Sequence, residues 1–240
     1  MSLIRLDKML SNSGIGSRKD VKNLIKYGKI SVDGAVVKKS DIKIDTEKNK
    51  VTVDGKEISY KKYIYLIMNK PAGVISATED KKEKTVIDIL PEEYKNFDVF
   101  PVGRLDKDTV GLLILTNDGD FAHNTLSPKK HVPKKYFAKV TGVVDNSDIE
   151  SFKNGIEFEN GELCKSAKLE ILKTSDKESE VYVEISEGKF HQVKKMFKVV
   201  GKEVLYLKRV KFGGLSLNEN LKEGETAELT EDEFNSIFNF

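Results

Sequence analysis

The stretch of this chain best suited to chemistry is Gly103-Arg104-Leu105-Asp106-Lys107-Asp108-Thr109-Val110-Gly111. It runs straight into the apolar Leu112-Leu113-Ile114-Leu115 and the polar Thr116-Asn117-Asp118-Gly119. A charged loop feeding a buried strand can fix one carboxylate in space, and its flanking glycines let the backbone turn tightly and approach a ligand. That is how an enzyme would hold one acid. The same residue types also build an ordinary solvated turn. A different chemistry, that of a Mg²⁺-dependent nuclease, would need Asp106, Asp108, Asp118 and Asp120 to converge. The intervening strand opposes this, because about four extended residues at ~3.3 Å each hold Asp118 away from the loop.

Other side chains could complete such a site. Tyr136 lies in Lys134 to Val140, which alternates as a strand, so its ring belongs either to the core or to the wall of a cleft. Lys194 falls on a helix expected from Phe190 to Val200, whose buried stripe is Val193, Met196, Phe197 and Val200. Lys70 precedes a Pro71-Ala72-Gly73 turn, where it can meet phosphate or simply be solvated. The strand Val204 to Val210 carries Leu207 on its apolar side and Lys208-Arg209 as a possible phosphate contact. His191 and Gln192 either position the start of the helix or meet a ligand.

Composition narrows the class. With 38% hydrophobic and 33% charged residues in 240, the chain reads as a globular protein with a heavily solvated surface. No apolar run is long enough to span a bilayer, and Arg5, Asp7 and Lys8 stand where a signal peptide would be apolar, so a cytoplasmic location is expected. One cysteine, Cys164, and three histidines offer no metal-ligand spacing, so no metal is expected. Charge is unevenly spread. Residues 1–62 hold 15 Lys and Arg against 8 Asp and Glu, and the remainder holds 26 against 31. A basic module joined to a slightly acidic body suits a polyanion gripped by one part and worked on by the other. Only four of the 41 basic residues are arginine, at positions 5, 18, 104 and 209, the places where a planar fork could matter.

The elements of the basic module can be read in order. Leu6, Met9 and Leu10 recur at helical spacing, and Gly14 and Gly16 break the pattern. Ser17 caps a second helix with Asp20 in capping-box position, Val21, Leu24 and Ile25 make its buried stripe, and Arg18, Lys19, Lys22 and Lys26 face outward. Asp33-Gly34 and Asp54-Gly55 then mark two tight hairpins. This pattern, with Arg5-Leu6-Asp7-Lys8, Ser17-Arg18 and Gly28-Lys29-Ile30-Ser31-Val32-Asp33-Gly34, resembles the alpha-L RNA-binding domain named after the fourth protein of the ribosomal small subunit. The resemblance implies contact with structured RNA, carried by Arg5, Lys8, Arg18, Lys19 and Lys22. Contacts of this kind position the protein without reading sequence.

The larger part carries a second resemblance. Gly103-Arg104-Leu105-Asp106 with Thr109, Gly111-Leu112-Leu113 and Leu115-Thr116-Asn117-Asp118-Gly119 is similar to the catalytic motif of pseudouridine synthases. Ser127-Pro128-Lys129-Lys130-His131, Lys134-Lys135-Tyr136-Phe137-Ala138-Lys139-Val140 and Glu187-Gly188-Lys189-Phe190-His191-Gln192-Val193-Lys194-Lys195-Met196-Phe197 fit as well, with a spelling nearest the small-subunit group of that family. The resemblance implies isomerisation of uridine to its C-glycoside within RNA, with no cofactor and no metal. Asp106 would be the essential aspartate, Tyr136 the ring beside the target base and Lys194 the cation facing the carboxylate. Arg104, Leu207, Lys70, Gln192 and Arg209 would complete the substrate-binding set, and Asp108 would be a turn residue.

The expected architecture is α+β. An alpha-L RNA-binding domain at 1–58 and a linker at 59–62 precede a catalytic domain at 63–240, whose mixed, mainly antiparallel sheet is flanked by helices. The expected substrate is 16S rRNA, met within a small-subunit assembly intermediate by a monomer that touches no membrane. Two other readings stand beside it: a synthase acting on large-subunit rRNA, and a non-catalytic RNA-binding assembly factor that kept the fold.

Overall fold

The computed structural model describes residues 3–58, 60–127 and 130–240. Ser59 of the expected linker, and Pro128 and Lys129 of the Ser127 to His131 segment, lie outside them. The chain forms two compact units, Met1–Ile64 with Leu90–Phe100, and Tyr65–Ile89 with Pro101–Phe240. Segment 90–100 therefore belongs with the basic unit, although sequence reasoning placed it in the larger one. Its packing gives the reason: a Cβ built on Gly14 would lie 3.6 Å from both the Glu93 carbonyl oxygen and the Phe97 ring.

In the first unit, β1 (Leu3–Arg5) pairs with β4 (Lys43–Asp45), while β2 (Ile30–Val32), β3 (Ala35–Val36), β5 (Val51–Val53) and β6 (Lys56–Glu57) form a second small sheet. Two helices, α1 (Leu6–Asn12) and α2 (Arg18–Lys26), supply Leu6, Met9, Leu10, Val21 and Ile25 to a core shared with Ile30, Ile44 and Val51. The short α3 (Glu92–Lys95) completes the unit. Ser17 and Asp20 close the expected capping box on α2. Both hairpin turns are tight, with Asp33 and Gly34 at φ of 49° and 83° and Asp54 and Gly55 at 49° and 79°. Such left-handed pairs match the twist of the flanking strands, which is why Asp-Gly is favoured there.

The second unit is built on one sheet. Its strands are β7 (Tyr65–Lys70), β9 (Val110–Thr116), β10 (Lys134–Thr141), β11 (Lys168–Thr174), β12 (Glu178–Ile185), β13 (Val204–Phe212), β14 (Leu215–Ser216) and β15 (Thr226–Glu228). Between β7 and β9 in the chain, β8 (Phe100–Pro101) marks the return from the first unit and pairs with β9. The main path runs β11-β12-β10-β13-β9-β7-β15, and only the β13–β9 pairing is parallel. Four helices join it: α4 (Gly119–Leu126), α5 (Asn146–Asn154), α6 (Gln192–Val199) and α7 (Glu231–Ser236). All seven residues of β9 are buried, as its unbroken apolar run requires. Strand β10 alternates strictly, with Lys134, Tyr136, Ala138 and Val140 on the buried face.

Two segments are irregular. Thr85 to Leu90 forms no helix; Asp88 Oδ2 instead accepts from both the backbone N and the hydroxyl of Thr85, closing an isolated turn. Residues 156–164 fold back through the bridge of Glu157 with Leu163, with the Phe158 N–H donating to the Glu162 oxygen at 2.9 Å and the Cys164 N–H to the Ile156 oxygen at 2.8 Å. At Thr85 a side chain satisfies groups that a helix would otherwise use.

Candidate active site

The loop bearing Asp106 is held from beneath by buried groups of β7 and the turn that follows it. Lys70, the last residue of β7, has no exposed surface. Its Nζ donates to the carbonyl oxygens of Pro71 and Thr109 at 2.9 Å each and of Lys107 at 3.4 Å. Three donors thus meet three acceptors, so Lys70 braces the loop, and the expected phosphate contact is corrected. Ser76 adds a second brace. Its buried hydroxyl donates to the Leu105 carbonyl at 2.9 Å and accepts from the Leu105 N–H at 3.0 Å, gripping both backbone groups of the residue next to Asp106.

Above this support the side chains converge. Lys194, in the first turn of α6, places its Nζ 3.1 Å from Asp106 Oδ2 and 2.5 Å from Asp108 Oδ1. His191, at the N-cap of α6, places Nε2 3.5 Å from Asp106 Oδ1. These groups line an open cleft with about 430 Å³ of empty space, together with Arg104, Thr109, Tyr136, Gln192 and Leu207. Register explains why Tyr136 and Leu207 share its wall: Tyr136 pairs with Arg209 and Ala138 with Leu207 across β10 and β13, so the two side chains are diagonal neighbours on one face. Arg104 is exposed at the rim.

The electrostatics follow from this geometry. Burial opposes the charged form of Lys194, but its hydrogen bonds to Asp108 and Asp106 outweigh that cost and raise its pKa. Burial likewise works against Asp108, yet the Lys194 ammonium and, more weakly, His191 leave its carboxyl below the usual range. The turn role expected for Asp108 is therefore incomplete, since it shares the site's lysine with Asp106. One cation clamped by two carboxylates fixes the Asp106 side chain in place.

Two further expectations are corrected by burial. Arg209 is 2% exposed, its Nε donates to the Leu112 carbonyl at 2.7 Å and its guanidinium lies 5.2 Å from the Phe212 ring centroid. It joins β13 to β9, and its Nη2, which has no hydrogen-bond partner, is buried away from any surface phosphate. Gln192 is 4% exposed; its Oε1 accepts from the Lys189 N–H at 2.9 Å and its Nε2 donates to Glu187 Oε1 at 2.8 Å. It shapes the entry to α6, the first of the two roles open to it in the sequence. In the other unit, Lys8, Arg18, Lys19 and Lys22 are exposed. Arg5 is committed to Asp7 through Nε and Nη2, at 3.0 and 2.8 Å.

Sequence reasoning missed Ser76 and the burial of Lys134, and it named His191 without placing it beside Asp106. A serine directly after Val74-Ile75 carries no signal, because its role depends on a loop about thirty residues away. His191 acts through a left-handed backbone, φ 53°, a conformation uncommon for any non-glycine residue. Lys134 is buried on β10 with its Nζ over the Phe212 ring. Burial, aided by Arg209, pushes it down to about 8, and burial also pushes Lys70 to about 8 despite the charges of Asp108 and Asp106. Between pH 8 and the unfolded lysine value of 10.5 the unfolded chain binds more protons, so these two lysines make stability rise with pH across that window. Lys134→Met should raise the urea midpoint at pH 7 and shrink the gain between pH 8 and 10; a variant less stable at pH 7 would show that the buried charge is needed.

The sheet, the clamped aspartate and the adjoining tyrosine define an RNA isomerase, and the chain belongs to the RNA pseudouridylate synthase family, whose model matches residues 64–198. Residues 4–48 match the S4 domain. Among its relatives, an RNA pseudouridine synthase of Bacillus subtilis, YtzG, is 49% identical, covering 98% of each chain. Ribosomal large subunit pseudouridine synthase B of the same organism is 38% identical over 95% of this chain and 93% of that one. Ribosomal small subunit pseudouridine synthase A of Vibrio cholerae is also 38% identical, over 98% of this chain and all of the other. A crystal structure of a pseudouridylate synthase superposes with a TM-score of 0.68 at 31% identity, covering 98% and 99% of the two chains. The protein is thus an rRNA pseudouridine synthase by family, with an S4 RNA-binding domain. Among the described residues, no helix is long and apolar enough to cross a membrane.

Proposed function

We propose that this enzyme converts one uridine of 16S rRNA to pseudouridine, with the Asp106 carboxylate as its catalytic group and no cofactor. The observation that carries the reading is Asp106 itself, held between Lys194 and His191 on one side and facing a cleft walled by Tyr136 and Leu207. The isomerisation breaks the N1–C1′ bond and forms a C5–C1′ bond, and the proton lost from C5 is matched by one gained at N1 from solvent, so substrate and product have the same atoms. An ionised aspartate with no proton to give suits that sequence, because it can stabilise or trap the separated fragments and then let them rejoin. Tyr136 stacks on the extruded ring, Leu207 packs beside it and Arg104 holds the phosphate or fills the gap left in the RNA.

The first unit supplies the grip. Residues 1–58 act as the RNA-binding domain, with Lys8, Arg18, Lys19 and Lys22 on phosphates and Arg5 contributing what Asp7 leaves free. Residues 59–62 serve as the linker and 63–240 as the catalytic domain. The enzyme works as a cytoplasmic monomer on a small-subunit assembly intermediate. The small-subunit choice rests on His191-Gln192-Val193-Lys194-Lys195-Met196, in which a lysine faces Asp106. A large-subunit target is the second reading, favoured by the equal identity to synthase B. Retention of Asp106 in an assembled cleft disfavours a purely structural assembly factor.

The purified protein should be incubated separately with 16S and 23S transcripts and with small-subunit assembly intermediates, followed by pseudouridine mapping. One new site in 16S rRNA is expected. Modification confined to 23S rRNA would establish the second reading, and none in any RNA would overturn the enzymatic one.

A further inference from the structure

We propose that the exposed ring of Phe190, stacked on His191 at the mouth of the cleft, is a second base-binding subsite for the nucleotide adjoining the target uridine. This rests on the enzyme acting on RNA. Phe190 is 73% exposed, although nearly all large apolar side chains near the site are buried. Its ring centroid lies 3.8 Å from that of His191 with the planes 20° apart, so the two rings form a flat, two-layered shelf. The shelf is fixed, because His191 caps α6 and its Nε2 lies 3.5 Å from Asp106 Oδ1. It therefore begins one residue from a group that touches the proposed catalytic carboxylate.

The surrounding chemistry selects a nucleotide. Lys195 Nζ stands 5.3 Å from the ring centroids of both Phe190 and Phe158 and forms no ion pair among the described residues. A base laid on Phe190 would bring its phosphate toward that ammonium, and aromatic faces beside lysines are the usual means of holding single-stranded RNA. Past Lys195 a depression lined by Phe158, Glu159, Asn160, Lys198 and Val199 adjoins it, and there Lys198 is paired with Glu159 at 2.9 Å, which leaves Lys195 as the cation beside the shelf. Extruding a uridine leaves its neighbour without a stacking partner, and a fixed aromatic shelf replaces the lost face. The subsite would thus hold the flanking nucleotide while the target enters the cleft.

The test uses the full chain and a short rRNA segment containing the uridine that mapping identifies. Two versions of that segment are compared, one intact and one with an abasic nucleotide beside the target. Phe190→Ala should raise KM for the intact RNA by about ten-fold or more, with kcat changed much less, and Phe190→Tyr should restore it. The abasic RNA should cost the parent enzyme a similar factor on one side of the target only, and should cost Phe190→Ala nothing further. Equal KM for parent and Phe190→Ala, or losses that multiply, would overturn the subsite while leaving the activity standing. A parent enzyme that modifies neither 16S nor 23S rRNA would instead overturn the function on which the subsite depends.

Discussion

Asp106→Asn is expected to abolish pseudouridine formation, by on the order of 10³-fold or more, while RNA affinity stays within about three-fold of the parent. The substitution keeps the shape of the side chain and removes the charge. It should not unfold the site, because Lys194 retains its 2.5 Å partner Asp108 and no buried ammonium is left unpaired. The Leu105 backbone is gripped by Ser76 whatever stands at position 106. Binding should survive, since the phosphate contacts proposed for Lys8, Arg18, Lys19 and Lys22 lie in the other compact unit. Turnover of a defined rRNA segment and its affinity by filter binding separate the two effects. Activity within ten-fold of the parent would remove Asp106 from the catalytic role, and a parallel loss of affinity would make it a binding residue.

Much of this architecture is legible in the sequence where a local rule acts alone. The Ser17 capping box, the two Asp-Gly hairpins and the unbroken apolar run of β9 all appear as expected. They are legible because each depends on neighbours within a few residues. The site is legible only in part. Tyr136 and Lys194 line the same cleft as Asp106, and the resemblance of their motifs to a family, not spacing, brings them together in advance. Lys70 and Arg209 illustrate the limit. A charged residue beside a turn or in a strand reads as a surface contact, yet both are buried, Lys70 donating to backbone carbonyls of the loop and Arg209 through Nε to one of β9. That outcome depends on which strands become neighbours in the sheet, and nothing within a few residues of either position encodes it.

The same dependence on strand neighbours makes Gly111 a position that has no room for a side chain. It lies in β9 opposite Arg209 of β13, in the only parallel pairing on the sheet's main path. A Cβ added there would stand 2.3 Å from the Arg209 carbonyl oxygen and 2.8 Å from its nitrogen, both backbone atoms that cannot swing aside. Its φ of 101° is also one that L side chains rarely adopt. Gly111→Ala must therefore push β9 from β13, weaken the Arg209 bond to Leu112 and shift Asp106 and Leu207, which approach the cleft from opposite sides of that seam. Overpacking and backbone strain together should cost about 3–5 kcal/mol, a large fraction of the stability of an ordinary domain. Gly201→Ala is the control, because Gly201 has a φ of 75° in the same unit with nothing within 4 Å of its added Cβ, and it should cost only about 1–2 kcal/mol. Urea unfolding of the two variants measures the difference, and turnover should fall with Gly111→Ala at temperatures where it is still folded. Equal destabilisation would mean that the strain is conformational and that β9 and β13 can separate at no cost to the site.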